Sequence, residues 1–253
     1  MYDNLTFPLN VYANLLAFDK QPVDYLHFGL FDGDHLSMGE AQNKSTEILF
    51  SYLPPAPAKV LEVGIGLGTT QKILLDKGYL AQGITPDINQ IQIAKSRLGE
   101  KGQLFCEYFE NYQSSDKFDV ILFQESSQYI RIDKLFSQLK HLISDQGRII
   151  IIDEVRLNPK TDCGLHYPEE MIGMAKENGM KIRFYRDLSA LAKPTMTYIK
   201  DKLAQYNNEV LAVLGNDFKQ LKELEASTET YLKNYSNGDF GYYLFVFDNQ
   251  IKQ

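Results

Sequence analysis

The stretch Val60-Leu61-Glu62-Val63-Gly64-Ile65-Gly66-Leu67-Gly68-Thr69-Thr70 constrains this chain more than any other. It opens as a short run of aliphatic and β-branched residues, the signature of a buried strand. It then breaks into glycines at alternate positions, and Thr69 to Lys77 reads as a helix. A strand, a glycine turn and a helix N-terminus follow one another. Glycine has no Cβ and tolerates positive φ, so backbone at such a turn can approach a ligand closely. The first turn of the helix points unpaired N–H groups the same way.

Strands and helices alternate on either side of it. Residues 1–24 are amphipathic, with a short helix expected over Asn10–Phe18. Tyr25 to His35 is an aromatic-glycine segment too broken for a regular element, and its rings are expected to bury area against a cofactor edge. Ser37-x-x-Glu40 is a capping box that starts a helix to about Tyr52. Pro54, Pro55 and Pro57 stop it. Further strands are expected at Tyr79–Ile84, Leu104–Cys106, Phe118–Phe123, Ile149–Ile152, Lys181–Tyr185 and Tyr242–Phe247. Asp145-Gln146-Gly147 is expected to turn the chain before the fifth of the seven strands. Helices are expected at Asn89–Leu98, Ile132–Ile143 and Pro168–Asn178. The alternation predicts an α/β fold, a doubly wound, mostly parallel seven-stranded sheet. Residues 189–240 form a helical insertion before the last strand, split at Gly215. Ordinary connections take ~2–6 residues, so this insertion is expected to be a lid. The domain reading is an N-terminal helical cap at 1–57, a core at 58–188, the lid at 189–240 and the last strand of the core at 241–253.

Bulk properties exclude some classes. At 253 residues the chain can bury a sizeable core. No apolar run approaches the ~20 residues of a membrane span. The N-terminus has neither basic start nor apolar core, so no signal peptide is expected and the cytoplasm is the expected compartment. A net charge of −7 argues against nucleic acid as a partner. Cys106 and Cys163 have no metal-ligand spacing, no metal is expected, and Cys106 reads as a small core residue.

In open α/β sheets ligands bind beyond the carboxyl ends of the strands. Those ends are Gly64–Gly68, Thr85–Asp87, Glu107–Glu110, Gln124–Gln128 and Asp153-Glu154, each a polar or glycine-rich segment after an apolar run. The glycine spacing is G-x-G-x-G. A dinucleotide fold wants G-x-G-x-x-G against a pyrophosphate. A carboxylate at Glu62 suits an ammonium-bearing ligand better than a phosphate.

The hydrophobic-Glu-Val-Gly-x-Gly-x-Gly pattern resembles the first motif of the class I S-adenosylmethionine (SAM) dependent methyltransferases. Gly83-Ile84-Thr85-Pro86-Asp87-Ile88-Asn89-Gln90 resembles the second motif of their small-molecule and lipid branch, the ubiquinone-methylase-like and sarcosine/tocopherol-methylase-like enzymes. Phe118-Asp119-Val120 with Gln124-Glu125-Ser126 resembles the fourth, and Gln146-Gly147-Arg148 a later turn. The ordered match covers roughly residues 58–155. Tyr25 to Gly33 resembles the aromatic segment that covers SAM in those enzymes. The resemblance implies a Rossmann-like methyltransferase fold, SAM as cofactor and S-adenosylhomocysteine (SAH) as product. It implies cofactor contacts from Tyr25, Glu62, Gly64, Gly66, Gly68, Thr85, Pro86, Gln90, Tyr108, Phe109 and Gln124. Most class I enzymes end the second strand with an acid that grips the ribose. Here Thr85 stands there, so Gln90 with Thr85 is expected at the ribose rather than Asp87. The adenine is expected near Tyr108-Phe109, with Glu107 or Glu110 as substitutes.

Methyl transfer from a sulfonium is an in-line displacement in which the enzyme supplies alignment and a dry site. A base is needed only when the acceptor loses a proton. His27, Glu125 and Tyr129 are the catalytic candidates, with Asp153, Glu154 and His166 also near strand ends. Plainer roles stand beside these: His27 filling a loop core, His166 at the surface or capping a helix, Asp153 and Glu154 solvating a strand end, His35 and His141 in solvent. Tyr231, Tyr235, Tyr242 and Tyr243 read most simply as lid packing. The insertion is apolar and tyrosine-rich, which points to a small aromatic or lipid-like acceptor. A nicotinamide-dependent oxidoreductase and a non-catalytic SAM-fold binding protein are the rival readings. An RNA methyltransferase fits the charge poorly. A homodimer is left open.

Overall fold

The structure, a computed structural model, describes residues 2–33, 36–161 and 163–250. His35, expected in solvent, lies outside the described residues. The elements run α1 (Leu9–Phe18), α2 (Met38–Phe50), β1 (Lys59–Val63), α3 (Thr69–Asp76), β2 (Leu80–Thr85), α4 (Ile88–Leu98), β3 (Gln103–Cys106), β4 (Phe118–Gln124) and α5 (Ile132–Leu142). They continue with β5 (Ile143–Arg156), α6 (Pro168–Glu177), β6 (Met180–Asp187), α7 (Ser189–Ala192), α8 (Pro194–Gln205), α9 (Asn207–Val213), α10 (Phe218–Asn237) and β7 (Phe240–Asn249). They group into two compact units, one of residues 1–47 with 189–240, the other of 48–188 with 241–253.

The second unit holds the seven-stranded sheet, in the order β3-β2-β1-β4-β5-β7-β6. The order reverses between β1 and β4, which lie side by side in parallel with Val63 opposite Phe123. Strands β1 to β5 pair in parallel. The pair β6 and β7, separated in the chain by α7 to α10, is antiparallel. Strands covered on both faces must be apolar throughout, and Ile149 to Ile152 are all fully buried. One face carries α5, whose Leu135, Phe136, Leu139 and Leu142 join Phe123, Ile151 and Phe245 in one core. Each such side chain contributes roughly 1.5–3 kcal/mol on burial. On α4, Ile91, Ala94 and Leu98 pack with Ile65 from the glycine turn.

The sheet departs from the sequence reading in three places. The expected turn at Asp145–Gly147 lies inside β5, which spans Ile143–Arg156. From Phe118 to Val120, β4 advances two residues, while β5 advances five, from Ile143 to Arg148. The surplus is a bulge, and it closes because Gly147 has no Cβ: one would sit 2.6 Å from Ile143 Cγ1 and 3.0 Å from the Phe118 carbonyl. Cys106 is exposed rather than buried, because β3 is an edge strand with β2 as its one neighbour. Asp153 and Glu154 do not solvate a strand end; they lie inside β5 and are buried.

The first unit is helical. The capping box forms as expected: Ser37 N–H donates to Glu40 Oε2 at 2.8 Å and Glu40 N–H donates to Ser37 Oγ at 3.3 Å. Helices α1 and α8 are pinned through Asp19, which accepts from Tyr198 OH at 2.8 Å and from Lys202 Nζ at 2.5 Å. Tyr231 and Tyr235 of α10 pack on Phe240. The aromatic-glycine segment is threaded through this unit. Gly29 exchanges hydrogen bonds with Thr195 Oγ1, and a Cβ on Gly29 would lie 2.6 Å from that of Ala41.

Candidate functional site

Each expected cofactor residue of the second unit sits at or just beyond the carboxyl end of a strand. Glu62 is on β1, one residue before its end. Gly64, Gly66 and Gly68 follow at φ +80°, +50° and +80°. The turn is held by Gly64 N–H to the Ile84 carbonyl (2.8 Å) and Gly68 N–H to the Ile65 carbonyl (2.8 Å). Gly68 is the N-cap of α3. A Cβ on Gly64 would lie 2.4 Å from Ser126 Cβ. The β1 and β4 ends are therefore in contact, and Ser126 Oγ donates to the Val63 carbonyl.

On the β2 side, Thr85 Oγ1 donates to Gln90 Oε1 at 3.0 Å, and both side chains are buried. Asp87 is the N-cap of α4, accepting from Asn89 N–H at 2.8 Å and Gln90 N–H at 3.3 Å. Its carboxylate serves the helix terminus. The Pro86 carbonyl accepts from Cys106 Sγ at 3.5 Å. Beyond β3, Tyr108 is 60% exposed, whereas Phe109 is buried edge-on against Phe123, with ring centres 5.3 Å apart. At the end of β4, Gln124 Oε1 accepts from Thr70 Oγ1 on the first turn of α3 at 3.4 Å.

Electrostatics set Glu62 apart. It is 2% exposed, and burial pushes its carboxyl up to about 8, opposed by a hydrogen-bonding contact from Gln71. Its Oε2 is buried without a hydrogen-bond partner, and so is Gln71 Oε1. Native proteins leave few such atoms unsatisfied, and each calls for a reason. An incoming ammonium group is such a reason: it supplies donors and the opposite charge. The donor set and the cradle of glycines fit the amino-acid end of SAM.

Glu125 follows Gln124 in the left-handed region, at φ +56°. A side chain there costs about 1–2 kcal/mol. Its N–H donates to the Ile152 carbonyl at 2.9 Å, and its Oε1 accepts from Tyr242 OH at 2.6 Å. Tyr242 is fully buried on β7, so it belongs to the sheet and not to lid packing. Next along the chain, Ser127 and Gln128 fold onto Asp153. Asp153 Oδ2 accepts from Ser127 N–H (2.8 Å), Ser127 Oγ (2.6 Å) and Gln128 N–H (3.1 Å), and Oδ1 from Glu154 N–H (2.9 Å). Burial pushes this carboxyl up to about 6, against those hydrogen bonds and the nearby His166. His166 is buried, not at the surface, and its Nε2 hydrogen-bonds the Ser127 carbonyl at 2.9 Å. Tyr129 is 78% exposed on the short turn after β4.

Tyr25 and His27 belong to the first unit. Their rings lie 4.7 Å apart. His27 Nδ1 bonds the Phe28 carbonyl at 2.9 Å and Nε2 bonds Thr46 Oγ1 at 3.3 Å. Burial pulls the imidazole down to about 4, partly offset by the Phe28 carbonyl, so it is neutral at pH 7.

Sequence reasoning missed Gln71, Tyr242 and the tie between Ser127 and Asp153. Gln71 carried a signal, a polar residue on the face of α3 that meets the glycine strand. Tyr242, in an aromatic run, carried none.

Residues 61–151 match a family model described as a methyltransferase domain. No protein of curated function matches the chain by sequence. Among solved structures, a mycolic acid cyclopropane synthase complexed with SAH is 15% identical, with 98% of each chain covered and a TM-score of 0.83. The [4+2]-cyclase SpnF is 18% identical over 100% of this chain and 94% of that one, at 0.80. A geranyl diphosphate C-methyltransferase from Streptomyces coelicolor A3(2), also with SAH, is 16% identical over 98% and 95%, at 0.71. At such identities these neighbours establish the fold, and the matched domain carries the chemistry. With the ordered motifs and the glycine turn, the chain carries a methyltransferase domain over residues 61–151, on the fold of the class I SAM-dependent methyltransferases.

Proposed function

We propose that the methyl acceptor is a small amphiphilic molecule, lipid-like or aromatic, held beyond the ends of β4 and β5. The observation that carries the placement is Glu125, held in the left-handed region at the end of β4 with its carboxylate fixed by Tyr242 OH. A side chain kept in a strained backbone conformation beside a cofactor turn is a pointer to function. The compounds in the names of two proteins of similar fold, a mycolic acid cyclopropane synthase and a geranyl diphosphate C-methyltransferase, support the amphiphilic class.

Bound SAM supplies an electrophilic methyl group on a sulfonium. Glu62 and Gln71 would receive its ammonium, with the Gly64–Gly68 turn leaving room for its amino-acid end. Thr85 and Gln90 would hold the ribose and Tyr108 would meet the adenine, while the ring of Phe109 is in the core. Gln124 positions the first turn of α3 through Thr70. Glu125 receives the acceptor's proton when there is one to lose, or orients a hydroxyl or amine by accepting its hydrogen bond. Tyr129 is an exposed contact for the acceptor. We assign Tyr25 and His27 to the packing of the first unit, since both nitrogens of His27 are hydrogen-bonded there. The acidic net charge leaves nucleic acid outside this reading. Two free cysteines suit the reducing cytoplasm. Among the described residues, no helix is long and apolar enough to cross a membrane.

The cofactor is tested by thermal-shift titration with SAH beside NADH. Ligand at 100 times its Kd stabilises by about 2.7 kcal/mol, a shift of roughly 5–11 °C at ~2–4 °C per kcal/mol. A shift with SAH and none with NADH is expected; the reverse overturns the reading. The acceptor is tested by SAH release over a panel of fatty acyl lipids, prenyl compounds, phenols and amines. Turnover confined to nucleic acid or protein overturns the amphiphilic assignment.

A further inference from the structure

The segment after β5 folds back on the strand and leaves an imidazole there. Arg156 N–H, at the end of β5, donates to the His166 carbonyl at 3.0 Å. The His166 ring is buried and reaches the turn after β4, where Nε2 meets the Ser127 carbonyl at 2.9 Å. A carbonyl only accepts, so the proton of the neutral ring sits on Nε2 and Nδ1 carries a bare lone pair. Among the described residues Nδ1 has no hydrogen-bond partner. The side-chain atoms sealed from solvent without a partner are Gln42 Oε1, Glu62 Oε2, Gln71 Oε1 and Arg156 Nε. Nδ1 of His166 is not one of them, so it opens onto accessible space at the ends of β4 and β5. His27 is the contrast, a buried imidazole with both nitrogens occupied.

A single peptide group links this imidazole to Asp153. The Ser127 carbonyl belongs to the same peptide as the Gln128 N–H, and that N–H donates to Asp153 Oδ2 at 3.1 Å. The two hydrogen bonds sit at opposite ends of one planar, conjugated group. A carboxylate on the N–H end pushes electron density onto the carbonyl oxygen, and hydrogen bonds chained in this way strengthen one another. The bond from Nε2 strengthens again when the ring becomes charged. Asp153, raised by burial to about 6, is an anion at pH 8, and the nearby His166 favours that charged form. Satisfying the Ser127 carbonyl needs only a donor, which an amide would supply. An imidazole adds a base.

We propose that His166 is the base of the methyl transfer: its Nδ1 takes the proton of an acceptor hydroxyl, and Asp153 stabilises the resulting imidazolium through the Ser127–Gln128 peptide. The acceptor oxygen bonds to the methyl carbon, the C–S bond breaks with its electron pair left on sulfur, and the O–H proton passes to Nδ1 and from there to solvent. A neutral amine attacks with a free lone pair, whereas a hydroxyl is a weak nucleophile until its proton is drawn off, so a supported base suits an oxygen acceptor. The proposal rests on the acceptor reading above and deepens it. Of the two roles given there to Glu125 it keeps the orienting one, and it narrows the acceptor to an amphiphile methylated on oxygen. Asp153 acts as a positioning residue while still holding the segment after β4.

The experiment compares the full-length wild type with His166→Gln at pH 8 on two sets of acceptors. Nitrophenols and fatty carboxylates carry an oxygen that is already anionic; alkylphenols and fatty alcohols do not. The glutamine keeps an amide N–H for the Ser127 carbonyl and has no base to offer. Its kcat on the neutral hydroxyls should fall by ~10²–10⁴-fold. The anionic acceptors should stay near wild-type rates, and the SAH-induced thermal shift should be unchanged. Asp153→Asn should show the same selectivity with a smaller loss, about tenfold. A purely structural role would depress both sets alike; that pattern, or no loss on the neutral hydroxyls, overturns the proposal. So does turnover confined to amines or to carbon, which leaves the cofactor and the amphiphilic acceptor in place. Turnover confined to nucleic acid or protein overturns the acceptor reading itself. A second measurement needs no acceptor. In the ¹⁵N-histidine-labelled chain, the ring that disappears in His166→Gln should carry its proton on Nε2 and none on Nδ1 when neutral, and the opposite tautomer overturns the proposal whatever the acceptors show.

Discussion

The end of β1 and the joined ends of β4 and β5 each bury a carboxyl group at the same edge of one sheet, and the two are treated oppositely. Asp153 is surrounded by donors: Ser127 N–H and Oγ, Gln128 N–H and Glu154 N–H all reach its oxygens. Glu62 is as deeply buried, yet one of its oxygens has no donor at all. Burial raises both carboxyls, Asp153 to about 6 and Glu62 to about 8, and the smaller rise belongs to the group with the hydrogen bonds. A satisfied buried acid is architecture, here the clasp that folds the segment after β4. The unsatisfied one, beside the glycine turn, is the group proposed above to receive the cofactor's ammonium.

The contrast breaks most visibly at Gly64. Gly64→Val places a Cβ 2.4 Å from that of Ser126, at φ +80°, and separates the two strand ends. Overpacking and left-handed strain together cost roughly 3 kcal/mol or more, and SAH affinity should fall more than about 100-fold. Thermal denaturation with and without SAH reads both effects, and an unchanged ligand-induced shift would refute the placement of the cofactor.

Asp153→Ala tests the satisfied side. It leaves three buried N–H groups without their acceptor, and unpaired groups cost ~1–3 kcal/mol each before relaxation. A loss of about 3–4 kcal/mol in urea denaturation is expected, so a loss under about 1 kcal/mol would show that the clasp is ornamental.

His27, in the other unit, is a buried base held neutral. Its folded value of about 4 lies below the ordinary 6.5. The native state therefore binds fewer protons than the unfolded chain in that window. Its contribution is whole above pH 6.5 and is lost as pH falls toward 4, to a limit of about 3 kcal/mol. His27→Gln should flatten the pH dependence of stability over that window; an unaltered slope would place the proton uptake elsewhere.

Glu62 has the opposite sign. Its folded value lies above the ordinary 4.5, so the native state binds more protons, and the cofactor-free protein loses stability as pH rises from about 4.5 to 8. Glu62→Gln should therefore stabilise the cofactor-free protein at pH 8, by on the order of 2 kcal/mol, while weakening SAH. A variant destabilised at pH 8 would mean the carboxylate is already satisfied. The smallest effect is expected of Tyr242→Phe, which removes the hydroxyl that fixes Glu125. It should cost about 1 kcal/mol in stability and alter turnover with an acceptor more than affinity for SAH.

Much of the frame was legible beforehand because its signals are local. The glycine turn and the capping box at Ser37 each lie within a few consecutive residues, where hydrogen-bond geometry and the missing Cβ act directly. The apolar run at Ile149–Ile152 announced a central strand for the same reason. The clasp and the Glu125–Tyr242 bond were not legible. Ser127 meets Asp153 from 26 residues away and Tyr242 meets Glu125 from 117, and nothing in either neighbourhood marks the pairing. The bulge at Gly147 was misread as a turn because a glycine after Asp-Gln fits both.

The sequence by itself determined that strands and helices alternate, and that the strand ends are polar or glycine-rich. Periodicity and turn chemistry are properties of short segments, and they suffice for that. Only the tertiary structure decided which of those polar ends are satisfied. That depends on donors carried in by distant strands, and on how much water the packed sheet leaves around each one. Asp153 and Glu62 are equally buried, and the fold brings four donors to the first while leaving Oε2 of the second without one.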